Sequence, residues 1–226
     1  VPIYVSGEND GSFNTGDYIL FYGSDRDGYE MNQVISGTQY INPYSQNVCY
    51  WLTFGGSFSG VPKRITMASP LSDWTESVTT TPATVRIEND VYQRNTIGFE
   101  WYMAKLFGSS TADYSYNITL EDLDTSQPQT LSLLLKQEYL RNGSDLTHKL
   151  RLKVNNNWLL NSAGNVQEWS WTSLSPINIT HTGKYFIPGN NNIVFHVIRS
   201  LTDNLFLDFY QVTYQKKLIK RSTQFL

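Results

Sequence analysis

Five oxygen-bearing side chains, Glu8, Asn9, Asp10, Asn14 and Asp17, fall within the opening stretch GENDGSFNTGDYILFYG. Together they supply enough oxygens for a hard cation such as calcium. Their spacing is not that of the twelve-residue helix-loop-helix site, which needs acids at alternate positions and a closing Glu. A tight hairpin accounts for the same Gly, Asn and Asp residues through backbone geometry alone. The turn is therefore the preferred reading, with calcium kept open as the one cofactor option.

Catalytic sets are harder to assemble. Glycoside hydrolysis needs two carboxyl groups about 5 to 9.5 Å apart across a cleft. Glu138, Glu168, Asp203 and Asp208 are candidates, but among 20 acidic residues no spacing singles out a pair. Asp208, set between Leu207 and Phe209, is expected to be an internal hydrogen-bond acceptor. His148, His181 and His196 stand in neither HxH nor HExxH spacing, and no GxSxG elbow is present to hold a strained nucleophile. Cys49, the single cysteine, lies in VCYWLTF and is expected to be a buried, inert thiol. A lone cysteine also excludes intramolecular disulfides and any multi-cysteine zinc site. The chain is thus expected to be non-catalytic, with no catalytic residue and no metal ligand assigned.

Aromatic residues offer a different chemistry, because indole rings stack on sugars. Trp169 and Trp171 are two apart in EWSW and would share one face of a strand, with Trp158 shortly before them. A row of three exposed indoles would be a glycan platform. The same residues could fill a core, where tryptophan contributes large apolar area, and that is the preferred reading. Asn117, Asn142 and Asn178 each begin an Asn-x-Ser/Thr triplet, which matters only in a eukaryotic secretory setting.

The elements that must position these residues are strands. Of the 226 residues, 40% are hydrophobic and 14% aromatic while only 16% are charged, a composition suited to pleated surfaces. A net charge of −3 provides no basic stripe for nucleic acid, and no apolar run is long enough for a membrane-spanning helix. The cationic cluster Lys216, Lys217, Lys220 and Arg221 reads as a solvated linker. Short strand-like segments separated by turn residues recur along the chain, the pattern of an antiparallel sandwich. In HKLRLKV, Leu150, Leu152 and Val154 alternate with Lys149, Arg151 and Lys153, so that strand is half buried. LFLDFYQVTY carries apolar bulk on both faces and is expected to be central. Asn142-Gly143 signals a hairpin, and helix is expected to be limited to one or two turns. The shift to small polar residues at KLFGSSTAD, 105–113, marks the expected domain boundary.

Three phrases, GSFNTGDYILFYG, YWLTFGG and VRIENDVYQRNTIGFEWYMAKLFG, occur in that order. They resemble the segment preceding the catalytic domain of gingipain-like cysteine peptidases of family C25, including sortase-like surface proteins of type IX secretion systems. The phrases HKLRLKVNNNWL, WSW, IPGNNNIVFHV and LFLDFYQVTYQKKL are similar to the jelly-roll module that follows there. The resemblance implies a smaller β-rich region at 1–105, a galactose-binding-like jelly-roll at 113–215, and a linker at 216–226 toward a downstream peptidase domain. It implies an extracellular or cell-surface location, with that peptidase domain, protein substrates or surface components as partners. The family's His-Gly and later Cys cannot be carried over, because Cys49 precedes every histidine and His181 and His196 are followed by Thr and Val.

Overall fold

The computed structural model describes residues 1–23, 47–55, 60, 63–66, 78–93, 101–107, 110–137, 147–172, 176–198 and 204–219. They belong to two compact units, Val1–Glu76 and Ser77–Leu226. In the first, β1 (Ile3–Ser6) pairs antiparallel with β2 (Tyr18–Phe21), and Ile3 bridges in parallel to Arg64. A single 3-10 turn, Glu8–Asp10, sits between the two strands.

The second unit is an antiparallel β-sandwich. Its strands are β3 (Thr80–Glu88), β4 (Tyr92–Gln93), β5 (Trp101–Tyr102), β6 (Ala104–Leu106), β7 (Ala112–Leu120), β8 (Gln129–Gln137) and β9 (His148–Val154). They continue as β10 (Asn157–Trp158), β11 (Glu168–Trp171), β12 (Ile177–Gly183), β13 (Gly189–Ile198) and β14 (Leu205–Lys217). One sheet has the order β10-β9-β13-β7, with β11 also on β9; the other has the order β12-β8-β14-β3, with β6 also on β14. Strands adjacent in a sheet are often far apart in sequence, and such non-local pairing is the mark of jelly-roll connectivity.

Period-two alternation explains which faces meet. Leu150, Leu152 and Val154 of β9, Ile193, Phe195 and Val197 of β13, and Leu131, Leu133 and Leu135 of β8 all enter one buried cluster. Lys149, Arg151 and Lys153 point the other way, as their alternation predicts. Tyr116, Phe195 and Tyr210 join the two sheets through ring contacts at 5.3 to 6.1 Å. The Tyr210 hydroxyl donates to the Asn117 carbonyl at 2.8 Å, so its polar end is satisfied inside the core.

β14 is central, as its two apolar faces imply, but its alternation changes phase. Leu205 and Leu207 face the core, and so do Tyr210, Val212 and Tyr214. The extra residue between the two series is a bulge: Leu207 opposes Leu135 of β8, yet Phe209 already opposes Leu134. At the same point the other edge of β14 exchanges partners, from β6 (Leu207 opposite Ala104) to β3 (Phe209 opposite Glu88). Bulges bend a strand and re-aim the side chain they carry, here Asp208.

Three expectations differ from the structure. The boundary at 105–113 does not coincide with the division at 76/77, because β3 and β6 both hydrogen-bond to β14 more than 90 positions later. Lys216 and Lys217, expected to open a linker, instead belong to β14, where they pair with Thr81 and Thr80. Residues 47–55, including VCYWLTF, form no strand, and Cys49 is exposed rather than buried. Strand preference needs a paired, half-buried setting to be realised. The Asn142-Gly143 hairpin lies outside the described residues.

A buried amide holds the β12–β13 corner. Asn191 is 1% exposed; its Nδ2 donates to the carbonyls of Ile187 and Gly189, and its Oδ1 accepts from Ile187 N–H and from Asn155 Nδ2, all at 2.8 to 2.9 Å. Asn191→Ala is expected to destabilise the sandwich by about 2–4 kcal/mol because it strands buried donors and acceptors. Asn190→Ala, on the exposed face of β13, should change stability by about 0.5 kcal/mol or less. Urea unfolding of both variants measures the contrast.

Candidate functional site

The opening acidic stretch is the corner of the β1–β2 hairpin. Gly7 and Gly11 flank its 3-10 turn with φ of 87° and 75°. A Cβ at Gly7 would overlap the Asp17 carboxylate, so glycine is required there on two counts. The carboxylates serve the turn itself. Asp10 Oδ1 accepts from Ser12 N–H at 2.9 Å, Asp10 Oδ2 from Asn14 Nδ2 at 3.2 Å, and Asp17 Oδ2 from Asn14 N–H at 2.7 Å. Glu8 pairs with Arg64 at 3.0 Å.

The three tryptophans do not form one platform. Register places Trp169 opposite Leu150 and Trp171 opposite His148, on the side of β9 that faces the core, and both pack against the buried cluster. Trp158 lies opposite Lys153 on the outer side. There the Lys153 ammonium sits 4.3 Å from the indole centroid, and His196 meets the ring edge-on at 5.4 Å. His196 Nδ1 lies 2.5 Å from Asp113 Oδ1, and Lys153 reaches Asp113 Oδ2 at 3.3 Å. The hydrogen bond from His196, with help from Lys153, holds the Asp113 carboxyl below its usual range. On the inner side, Trp169 stacks edge-on against His181 at 5.9 Å, and His181 lies 5.4 Å from Tyr185. That contact joins β11 of one sheet to β12 of the other. Burial pushes His181 below its ordinary value. His148 is buried 5.6 Å from Trp171.

The carboxylate candidates are dispersed. Glu168 is engaged by Arg151 at 2.7 Å and Lys149 at 3.6 Å on the outer sheet face, while Glu138 and Asp203 lie outside the described residues. Asp208 departs from expectation: it is buried, at 4% exposure, but its Oδ2 has no hydrogen-bond partner. Residues following the internal-acceptor pattern would meet a donor there. The bulge instead turns Asp208 toward Glu88, the last residue of β3, and Asp90. One carboxylate oxygen from each of the three lies within 4.8 Å of the others. Burial, then the charges of Glu88 and Asp90, push Asp208 up to about 8. Arg86 anchors Glu88 Oε2 at 2.6 Å and lies 3.4 Å from the Phe209 ring centroid. Glu88 and Asp90 belong to the VRIENDVYQRN phrase of the sequence, where acids at alternate positions close a strand; their convergence with Asp208 has no local sequence signal.

No family model matches the chain, and no curated protein matches it. Among solved structures it is similar to dimeric latent PorU from Porphyromonas gingivalis, with a TM-score of 0.53 and 10% identity over 70% of this chain and 15% of PorU. It is also similar to the CBM36-1 domain of a multidomain xylanase from the hindgut metagenome of Trinervitermes trinervoides, with a TM-score of 0.39 and 14% identity over 58% of this chain and 96% of that domain. A carbohydrate-binding module CBM36 in complex with calcium and xylotriose gives a TM-score of 0.38 and 15% identity over 57% of this chain and 98% of the module. At these identities the likeness to PorU concerns the fold, and the chain spans only a small part of PorU's length.

Two outcomes follow from the placements. Trp169→Ala and Trp171→Ala are each expected to cost about 2–3 kcal/mol in urea unfolding, and Trp158→Ala about 1 kcal/mol or less, because only the first two pack on the core. A histidine held below its unfolded value of about 6.5 contributes stability above that pH, and this is lost as pH falls toward the folded value. Between pH 7 and 5 the wild-type urea midpoint is therefore expected to fall more steeply than that of His181→Gln.

Proposed function

We propose that this chain is a non-catalytic β-sandwich segment of a secreted or surface C25-like cysteine peptidase or sortase-like protein. In this reading it supports or shields a downstream peptidase domain, or binds that domain's protein partners, outside the cytoplasm. The observation carrying the reading is the fold likeness to a part of latent PorU, a gingipain-like C25 peptidase. It is independent of the phrase-level resemblance, which points to the same family. The geometry is compatible with such a role: Trp169 and Trp171 pack against the core, and Trp158 lies against Lys153 and His196. Among the described residues no helix is long and apolar enough to cross a membrane. Fold alone does not fix function, so the proposal rests on the two likenesses together.

A carbohydrate-binding module is the competing reading, and it would have been favoured by a row of three exposed indoles. Register divides those indoles between two faces.

The deciding measurement is the coding sequence beyond Leu226, expected to encode an α/β domain carrying a His-Gly pair and a later Cys. An unrelated domain, or a stop codon at that point, would overturn the assignment. The purified chain is expected to give no turnover of casein or chromogenic glycosides above buffer. Hydrolysis that survives Cys49→Ala and disappears in a carboxylate variant would show the chain to be a hydrolase instead.

A further inference from the structure

The acidic triad at the β14 bulge has no part in the reading above, and its energetics ask for a ligand. Three carboxylates meet where the end of β3 reaches β14, with the Arg86 guanidinium engaging one of them. Glu88 has a side chain only 2% exposed, and Asp208 as a whole is 4% exposed. Removing carboxylates from water without hydrogen-bond donors or a counter-charge is strongly unfavourable. At Asp208 Oδ2, which has no hydrogen-bond partner, protein donors do not meet that need.

The geometry suits a hard cation. Calcium accepts a shell built largely from protein oxygens, whereas magnesium dehydrates reluctantly and usually keeps several waters with one or two carboxylates. Three carboxylates converging with oxygens near enough to share one ion fit the calcium pattern better than the magnesium one. The opening hairpin offers a useful contrast, since its carboxylates are exposed and committed to turn N–H groups and to Arg64.

We propose that Glu88, Asp90 and Asp208 bind a divalent cation, calcium by its preference for several carboxylate ligands, which fastens the end of the first sandwich strand to the bulge of the last. Backbone carbonyls and water complete the shell in such sites. The bulge has a specific use in this arrangement. It changes the phase of β14 so that Leu207 and Tyr210 both reach the core, and it leaves Asp208 unpaired beside the terminus of β3. The inference does not depend on the chain belonging to a peptidase.

The test uses the full 226-residue chain, stripped with EDTA and dialysed, then titrated with calcium chloride by calorimetry and followed by thermal unfolding. One binding event per chain is expected. A hundredfold excess over Kd should raise Tm by about 5–10 °C. Magnesium chloride at the same concentration should give a smaller rise, and an equal or larger rise would overturn the assignment of calcium. Asp208→Asn and Asp90→Asn should each abolish the calcium response, while the double variant Asp10→Asn/Asp17→Asn should keep it. If Asp208→Asn does not fold, Asp90→Asn, at a partly exposed position, reads the same loss. Absence of heat and of any Tm shift in wild-type protein at millimolar calcium would sink the proposal. So would a response that survives both triad variants or vanishes in the hairpin variant.

Discussion

The sandwich depends on one constraint, that β14 must satisfy three neighbours at once. One edge runs along β8, while the other is shared by β6 near its start and β3 over the remainder. A strictly regular strand cannot do this and also keep its large side chains on the core side, because its side chains alternate without exception. The bulge between Leu207 and Phe209 resolves the conflict by inserting one residue. Leu205 and Leu207 before it, and Tyr210, Val212 and Tyr214 after it, then point the same way. Phe206 and Phe209 fall on the opposite side. There Phe206 stacks on Tyr102 at 4.8 Å and Phe209 carries the Arg86 guanidinium. The doubly apolar character of LFLDFYQVTY thus has two origins, a core face and an outer face with its own cover.

What could be read from the sequence was governed by range. Lys149 to Val154 alternates strictly, and a local period of two is sufficient to assign its faces, which the structure reproduces. The shared face of Trp169 and Trp171 was legible for the same reason. Pairing partners were not. The strand Thr80–Glu88 belongs with β14, more than a hundred residues away, and no composition shift marks that attachment. A boundary drawn at the polar stretch 105–113 therefore cut through a sheet. Cys49 failed for a related reason: VCYWLTF has the residues of a strand, but strand preference measures fit to neighbours that a linear reading cannot supply.

The acidic stretches show the same distinction from the other side. Glu8, Asp10 and Asp17 are conspicuous in sequence because they are close together, yet each is accounted for by a turn N–H, an amide or Arg64. Glu88, Asp90 and Asp208 are inconspicuous because two strands bring them together from 118 or more positions apart. Density of acids along a chain mostly reports turn chemistry. Convergence of acids in space, with burial and an unmet oxygen, reports an electrostatic demand.

That demand bears on why Asp208 is an acid at all. The bulge position lies between two aromatic-rich outer residues, and a leucine or asparagine there would avoid both the desolvation of a carboxylate and its repulsion from Glu88 and Asp90. Such an exchange is often neutral or stabilising when an ionic group merely fills space. Arg86 relieves part of the charge but directs its guanidinium to Glu88 Oε2 and Gln211 rather than to Asp208. An acid retained against these costs, at the one residue where β14 exchanges β6 for β3, is accounted for if its charge is matched by something held between the two strands. The same match would make the attachment of β3 to β14 depend on conditions outside the protein, which hydrophobic packing of Val85 and Ile87 alone would not do.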